Sequence, residues 1–187
     1  MRKRHSPPLP TLWLMTDERM GDALLPSAAA LPKGSGIIFR HYSLPTKARR
    51  ALFVQVQRIA KRQRHILILA DDSKTARAWK ADGAHGKCLT GKKMLKTRAV
   101  HSIRERIAAE RAGADLMLVS PLFATTSHHG AKGIGRIGFG FMTRNAKIRV
   151  IALGGMTARR ARSLKTFGIY GWAGIDALTP VSHSQKH

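Results

Sequence analysis

The chain has 187 residues, 43% of them hydrophobic, with 17 Gly and 8 Pro, which is enough for one domain around a single substantial core. Thirty-four Lys and Arg stand against ten Asp and Glu, a formal net charge of +24, so the surface attracts polyanions through its long-range field. One cysteine, Cys88, excludes an intramolecular disulfide framework and fits a reducing compartment.

The opening Arg2-Lys-Arg4 is basic, but Pro7, Pro8, Pro10 and then Asp17 break the apolar segment behind it too early for a signal peptide. No apolar run is long enough for a transmembrane helix. The expectation is a soluble, cytoplasmic protein with no membrane partner. Three segments follow: a flexible basic N-terminus at 1–11, a single domain at 12–178, and a tail at 179–187.

Taken in order, Leu12–Thr16 predicts a first strand ending at Asp17, then a short helix over Asp22–Leu31 stopped by Pro32 and Gly34. Gly36–Arg40 is a second strand. After Pro45, Ala48, Leu52, Val56 and Ile59 fall at helical spacing with charges on the other face. His65–Ala70 is the clearest strand, followed by a helix over Ser73–Lys80 with Asp72 or Ser73 as its cap.

Gly83–Gly86 is a weak fourth strand and Arg98–His101 a fifth. A helix from Ser102 then turns Ile103, Ile107 and Ala108 inward. Leu116–Val119 and Arg149–Leu153 are the sixth and seventh strands, Thr157 caps a helix carrying Ala161 and Leu164, and Trp172–Ile175 is the eighth. Eight strands alternating with helices in one chain mean a closed (β/α)8 TIM-type barrel rather than an open sheet. So few residues leave room only for shortened or missing helices, thinnest over Gly83–Lys96 and beyond Asp176.

Two apolar runs break into small or hydroxyl residues where a buried strand would end. They are Leu116–Val119 leading into Ser120–Ser127, and Val150–Leu153 leading into Gly154 and Gly155. At the C-terminal end of a barrel strand, such residues suit an anionic group, because backbone N–H groups and hydroxyls point at its oxygens. The Lys and Arg residues recur in runs, among them Lys47/Arg49/Arg50, Lys92/Lys93/Lys96/Arg98 and Arg159/Arg160/Arg162/Lys165. They coincide with helical patterns and read as a solvated shell that binds polyanions without specificity at low salt. No zinc-finger spacing or aromatic RNA-binding signature is present.

With these strand ends in place, the chain resembles the thiamine-phosphate synthase family and its relatives the thiazole tautomerases, as a diverged member. The likeness is carried by Leu14-Met-Thr-Asp17, Ala81-Asp-Gly-Ala-His85, Ala112-Gly-Ala-Asp115, Pro121-Leu-Phe-Ala-Thr125, Ile151-Ala-Leu-Gly-Gly155 and Gly171–Leu178, in the family's order and near its spacing. The resemblance implies a transferase of thiamine biosynthesis. Such an enzyme moves an aminopyrimidine-methyl group from its diphosphate to a thiazole phosphate, with Mg²⁺, releasing pyrophosphate.

Carried over residue by residue, the resemblance places Arg40, Thr125, Ser127 and His128 on the pyrophosphate, with His128 where the family has lysine. Tyr42, His101, Gly154, Gly155, Ile175 and Asp176 fall in the substrate-binding set. Tyr42 replaces a basic residue, and Ile38 replaces a glutamine that would bond the pyrimidine. Asp176 replaces a serine, and repels phosphate unless it turns away or pairs with an arginine. His101 is either a ligand contact or a packed structural histidine, and Arg40 either a pyrophosphate donor or a rim arginine paired with an acid.

For Mg²⁺ the chain offers Asp71. Ala70 replaces the family's asparagine, the second acid's region reads Gly86-Lys-Cys-Leu-Thr90, and Asp72 is either a cap or a further ligand. A magnesium site built this way is incomplete. Pro121 stands where the tautomerases have their proton-transferring histidine. Two other readings remain: a diverged, non-catalytic barrel that binds an anionic ligand or thiamine precursor, and a polyanion- or nucleic-acid-binding barrel. A homo-oligomer stays open.

Overall fold

A computed structural model describes residues 8–86, 89–91, 94–124 and 133–179. Eight parallel strands close into a barrel in sequence order: β1 (Leu12–Met15), β2 (Gly36–Phe39), β3 (Ile66–Leu69), β4 (Gly83–His85), β5 (Leu95–Val100), β6 (Leu116–Val119), β7 (Arg149–Ala152) and β8 (Gly171–Gly174). The ring is completed by β8 against β1, with Leu12 opposite Trp172 and Leu14 opposite Gly174. The expected (β/α)8 architecture is the observed one.

Strands covered on both faces read as continuous apolar runs, and the alternation of side chains sorts these runs into two layers. Trp13, Met15, Ile38, Ile68, Leu116, Leu118, Ile151 and Ala173 fill the barrel interior. Leu14, Ile37, Phe39, Leu67 and Leu69 face outward onto α1 (Leu24–Ala30) and α2 (Thr46–Gln63), where Phe53 and Val56 meet them. Phe53 lies edge-on to Phe39, with ring centroids 5.5 Å apart, and burying such a side chain contributes about 1.5–3 kcal/mol.

The remaining helices are short: α3 (Ser73–Ala78), α4 (Ile103–Arg111), α5 (Gly135–Thr143) and α6 (Ala158–Arg162). Asp72, Ser102 and Thr157 cap α3, α4 and α6, each side chain accepting a backbone N–H of the first turn. Among the described residues no helix separates β4 from β5, and only a 3₁₀ turn at Asp176–Leu178 follows β8. Trimmed helices are how a barrel fits this length. No helix among the described residues is long and apolar enough to cross a membrane.

Several expectations need correction. The fifth strand begins at Leu95, three residues before the predicted Arg98, and stops short of His101. Ile103, Ile107 and Ala108 are exposed rather than inward. The inner face of α4 carries Ala109 beside the Arg106–Glu110 pair, whose charges meet at 3.0 Å.

The whole of α5 was missing from the sequence reading, because Gly135, Gly138 and Gly140 lower helix propensity. Gly140 is needed for packing: a Cβ there would lie 2.9 Å from the Phe167 ring. Most of the expected N-terminal arm lies outside the described residues, but its end is held. The Tyr170 hydroxyl donates to Leu9 O at 2.6 Å, and Trp172 N donates to Thr11 O at 2.8 Å.

Candidate active site

The C-terminal ends of β1, β2, β6, β7 and β8 surround a cavity of about 430 Å³. Its wall includes Arg40, Ser120, Gly154, Gly155, Arg160 and Asp176. This is the face of a parallel barrel where chemistry is expected.

Two turns make the wall. The turn after β6 folds onto the turn after β7, with Leu122 N donating to Leu153 O at 3.0 Å and Phe123 N to Gly154 O at 3.1 Å. The approach is so close that a Cβ on Gly154 would stand 2.8 Å from Pro121 Cα, and one on Gly155 2.5 Å from Ala124 O. Both glycines have positive φ, 96° and 59°, a conformation open to glycine at little steric cost. The two segments that stood out in the sequence are therefore in direct contact. Thr125, Ser127 and His128, the expected pyrophosphate loop, lie outside the described residues.

Arg40 follows β2 and is a rim arginine paired with an acid. It lines the cavity, while its Nε donates to Thr16 O at 2.7 Å and its Nη2 to Asp17 Oδ2 at 2.5 Å. Asp17 also accepts from Arg19 Nε at 2.8 Å. Burial raises the Asp17 carboxyl, but the hydrogen bonds from Arg19 and the charges of Arg40 and Arg19 outweigh it and hold the group below its ordinary value. The backbone then turns through His41, at φ 49°. Its buried ring shares a 3.0 Å hydrogen bond with Thr16 and stacks on Phe39 at 4.8 Å.

Beside this lies a buried cation that sequence reading had assigned to the solvated shell. Arg49 of α2 is 8% exposed, whereas its neighbours Lys47 and Arg50 are solvent-facing. All three of its nitrogens are engaged: Nε donates to Arg40 O at 2.8 Å, Nη1 to Asp71 Oδ2 at 2.7 Å, and Nη2 to Ala70 O at 2.9 Å. The rings of Tyr42 and Trp79 lie 5.3 and 5.5 Å from its guanidinium carbon. Tyr42 is thus a surface cover over Arg49, 61% exposed and apart from the cavity wall.

Asp71, the residue expected to hold a metal, spends its other oxygen on Asp72 N at 2.9 Å. Asp72 itself caps α3, accepting from Thr75 N at 2.7 Å, and that bond holds its carboxyl low. Among the described residues no three His, Cys, Asp or Glu side chains stand together where they could share a metal ion. From Gly83 to Arg104 the sequence has no acid at all. A hard cation wants carboxylate and carbonyl oxygens, and a guanidinium 2.7 Å from the one available carboxylate does not fit that need.

The other predicted positions are spread around the mouth. His101 is exposed, with Nδ1 donating to Ser120 O at 2.7 Å, so it braces the cavity wall from behind. Ile175 and Asp176 line the cavity after β8. The Asp176 carboxylate lies 3.8 Å from Arg19 Nη2, so an arginine stands beside it.

Arg160 on α6 was missed. It lines the cavity, donates from Nη1 to Gly155 O, and sits over the Phe123 ring with its guanidinium carbon 4.6 Å from the centroid. Its position three residues after the Thr157 cap, on the turn following the paired glycines, is the signal that could have found it. His85 is buried at the end of β4, bonded to Thr97 Oγ1 at 2.8 Å. Burial, aided by the charge of Arg40, pushes its imidazole down to about 4, so it stays neutral near pH 7.

Comparison with known proteins bears on this arrangement. The family model described as thiamine monophosphate synthase matches residues 12–178. A thiamine-phosphate synthase of Ruminiclostridium cellulolyticum is 28% identical over 183 residues, covering 90% of this chain and 87% of that protein. One from Chloroflexus aurantiacus is 28% identical over 162 residues, covering 80% of this chain and 74% of the relative. The solved structure of thiamine phosphate pyrophosphorylase from Pyrococcus furiosus superposes with a TM-score of 0.75 at 25% identity, over 89% of this chain and 86% of that one.

Proposed function

Because the chain belongs to the thiamine monophosphate synthase family, a family of thiamine biosynthesis, we propose that it is a transferase joining a pyrimidinylmethyl diphosphate to a thiazole phosphate. The C–O bond of the diphosphate breaks and its electron pair leaves on pyrophosphate. The thiazole nitrogen lone pair forms the new C–N bond. Two anionic groups must then be held in one mouth, and the developing charge shielded from water.

The observation that carries this reading is the cavity between β1, β2, β6, β7 and β8, with Arg40 on one wall and Arg160 on another. Gly154 and Gly155 let the turns after β6 and β7 close into one wall, and Arg160 stands beside them as a second donor to the diphosphate. Arg40, braced by Asp17, meets the leaving pyrophosphate, and the resemblance to the family assigns Thr125, Ser127 and His128 to the same group. Ile175 and Asp176 border the thiazole phosphate.

Mg²⁺, implied by the family, would neutralise pyrophosphate charge as it leaves. Of the positions where the family holds it, only Asp71 carries a carboxylate, and that group is committed to Arg49, so no step is routed through a metal. The test is an assay with both precursors, reading thiamine phosphate by mass alongside a binding titration of each precursor. Product formation is expected; tight binding of both with no product would replace the synthase reading with a non-catalytic binding barrel.

A further inference from the structure

Arg49 occupies the place where this family's chemistry would need an oxygen-rich pocket. Its three nitrogens bond Arg40 O, Asp71 Oδ2 and Ala70 O, which ties the C-terminal ends of β2 and β3 to α2. Two aromatic rings close over it. Asp71 has no oxygen left without a protein partner, since Oδ1 accepts Asp72 N. The β4–β5 connection cannot add a ligand of the right charge, because Gly83–Arg104 contains four lysines and two arginines and no acid.

Positive charge is instead built into the cavity wall. Arg40 has Nε and Nη2 bonded, and among the described residues its Nη1 has no protein partner. Arg160 uses only Nη1, on Gly155 O, and among the described residues leaves Nε and Nη2 for a ligand. A guanidinium fork matches the spacing of phosphate oxygens and stays charged at any working pH.

We infer that this chain binds diphosphate without a divalent cation, its charge met by Arg40 and Arg160, while Arg49 holds Asp71 out of metal service. The inference rests on the synthase reading. Binding then depends on salt but not on chelator, since salt screens the guanidinium groups whereas a chelator removes nothing the site uses.

The test is a calorimetric titration of the full chain with inorganic pyrophosphate at fixed ionic strength, once in EDTA and once in excess Mg²⁺. A companion measurement follows Mn²⁺ binding to the ligand-free protein by electron paramagnetic resonance. Affinity equal within about twofold in the two buffers, with no bound Mn²⁺, is expected, as is a loss of about tenfold or more in Arg160→Met in EDTA. Affinity about tenfold tighter in Mg²⁺, or bound Mn²⁺ that disappears in Asp71→Asn, would overturn the inference and leave the synthase reading standing. Affinity in EDTA that ignores Arg160→Met would place the anion on the basic surface and overturn it too. No pyrophosphate binding in either buffer would remove the synthase reading and this inference together.

Discussion

On the β2–β3 side of the mouth, Arg49 spends every nitrogen on protein oxygens and is buried under Tyr42 and Trp79. On the β7–β8 side, Arg160 spends one nitrogen on Gly155 O and faces a cavity. The two residues have the same chemistry and opposite uses. A buried guanidinium with every nitrogen bonded to protein is part of the scaffold, because moving it would strand a buried charge. One with unspent donors beside a cavity is available to a ligand. The turn at Gly154 and Gly155 strengthens the contrast, since it packs directly on the turn after β6 and closes the wall that Arg160 lines.

The largest effect should come from removing the first arginine. Arg49→Met leaves Asp71 without its counterion and two strand-end carbonyls without a donor. The expected loss is about 3 kcal/mol, the low end for a broken buried pair, because the Asp71 side chain is 31% exposed. Urea denaturation measures it. Arg160→Met should change stability by no more than about 0.5 kcal/mol, as surface substitutions usually do. If the two variants lose stability equally, the division of the mouth into scaffold and binding side is wrong.

The scaffold side should also carry the acid sensitivity. His85 has a folded pKa of about 4, below the value near 6.5 of the unfolded chain. Between those values the unfolded chain binds a proton that the folded one refuses. Stability from this residue is therefore complete above about pH 6.5 and falls as the pH drops toward 4, by on the order of 3 kcal/mol in all. His41 and His65, lowered chiefly by burial, act in the same direction. Asp17, held low, adds its loss only as the pH falls below its ordinary 3.8. Denaturation midpoints from pH 7 to 4 should flatten in His85→Gln, and an unchanged slope would mean that the buried imidazole is not the sensor.

The sequence was most legible where one element decides its own structure. Leu116–Val119 was read to the residue, as apolar run and boundary coincide there. The caps at Asp72 and Thr157 were visible because an N-cap bonds within three positions. Legibility failed where a partner on another element decides. The partner of Arg49 lies 22 positions away on a different strand end, and only its helical register with Phe53 and Val56 separates it from Arg50. Likewise α5 hid behind its glycines, one of which serves Phe167 on a later turn. Arg160 was lost among other cations, in a chain so basic that charge alone marks nothing.

A moderate effect is expected from the paired glycines. Gly155→Ala places a Cβ 2.5 Å from Ala124 O at φ 59°, so it should cost more than about 1 kcal/mol, the scale at which an incompatible substitution outweighs its entropic gain. It should also weaken phosphate binding, because the two turns that form the cavity wall would separate. Thermal denaturation and a phosphate titration of the same variant test both. Lost stability with unchanged phosphate affinity would mean that the wall does not shape the site.

The smallest effect concerns Asp176, the carboxylate on the cavity rim after β8. Its side chain is 62% exposed and its Oδ1 lies 3.8 Å from Arg19 Nη2, so solvent and a neighbouring cation already blunt its field. Two unit charges about 4 Å apart in water interact by about 1 kcal/mol, and screening by Arg19 reduces that further. Asp176→Ser should therefore tighten inorganic phosphate binding by only about threefold, roughly half that energy. The variant also leaves Arg19 with one fewer acid to satisfy, which acts in the same direction. A calorimetric titration at low and at moderate salt separates the two contributions, because the gain from charge removal shrinks as the Debye length shortens. Weaker phosphate binding in Asp176→Ser would mean that the carboxylate serves the site by orienting Arg19, and the open side of the mouth would then have a scaffold of its own.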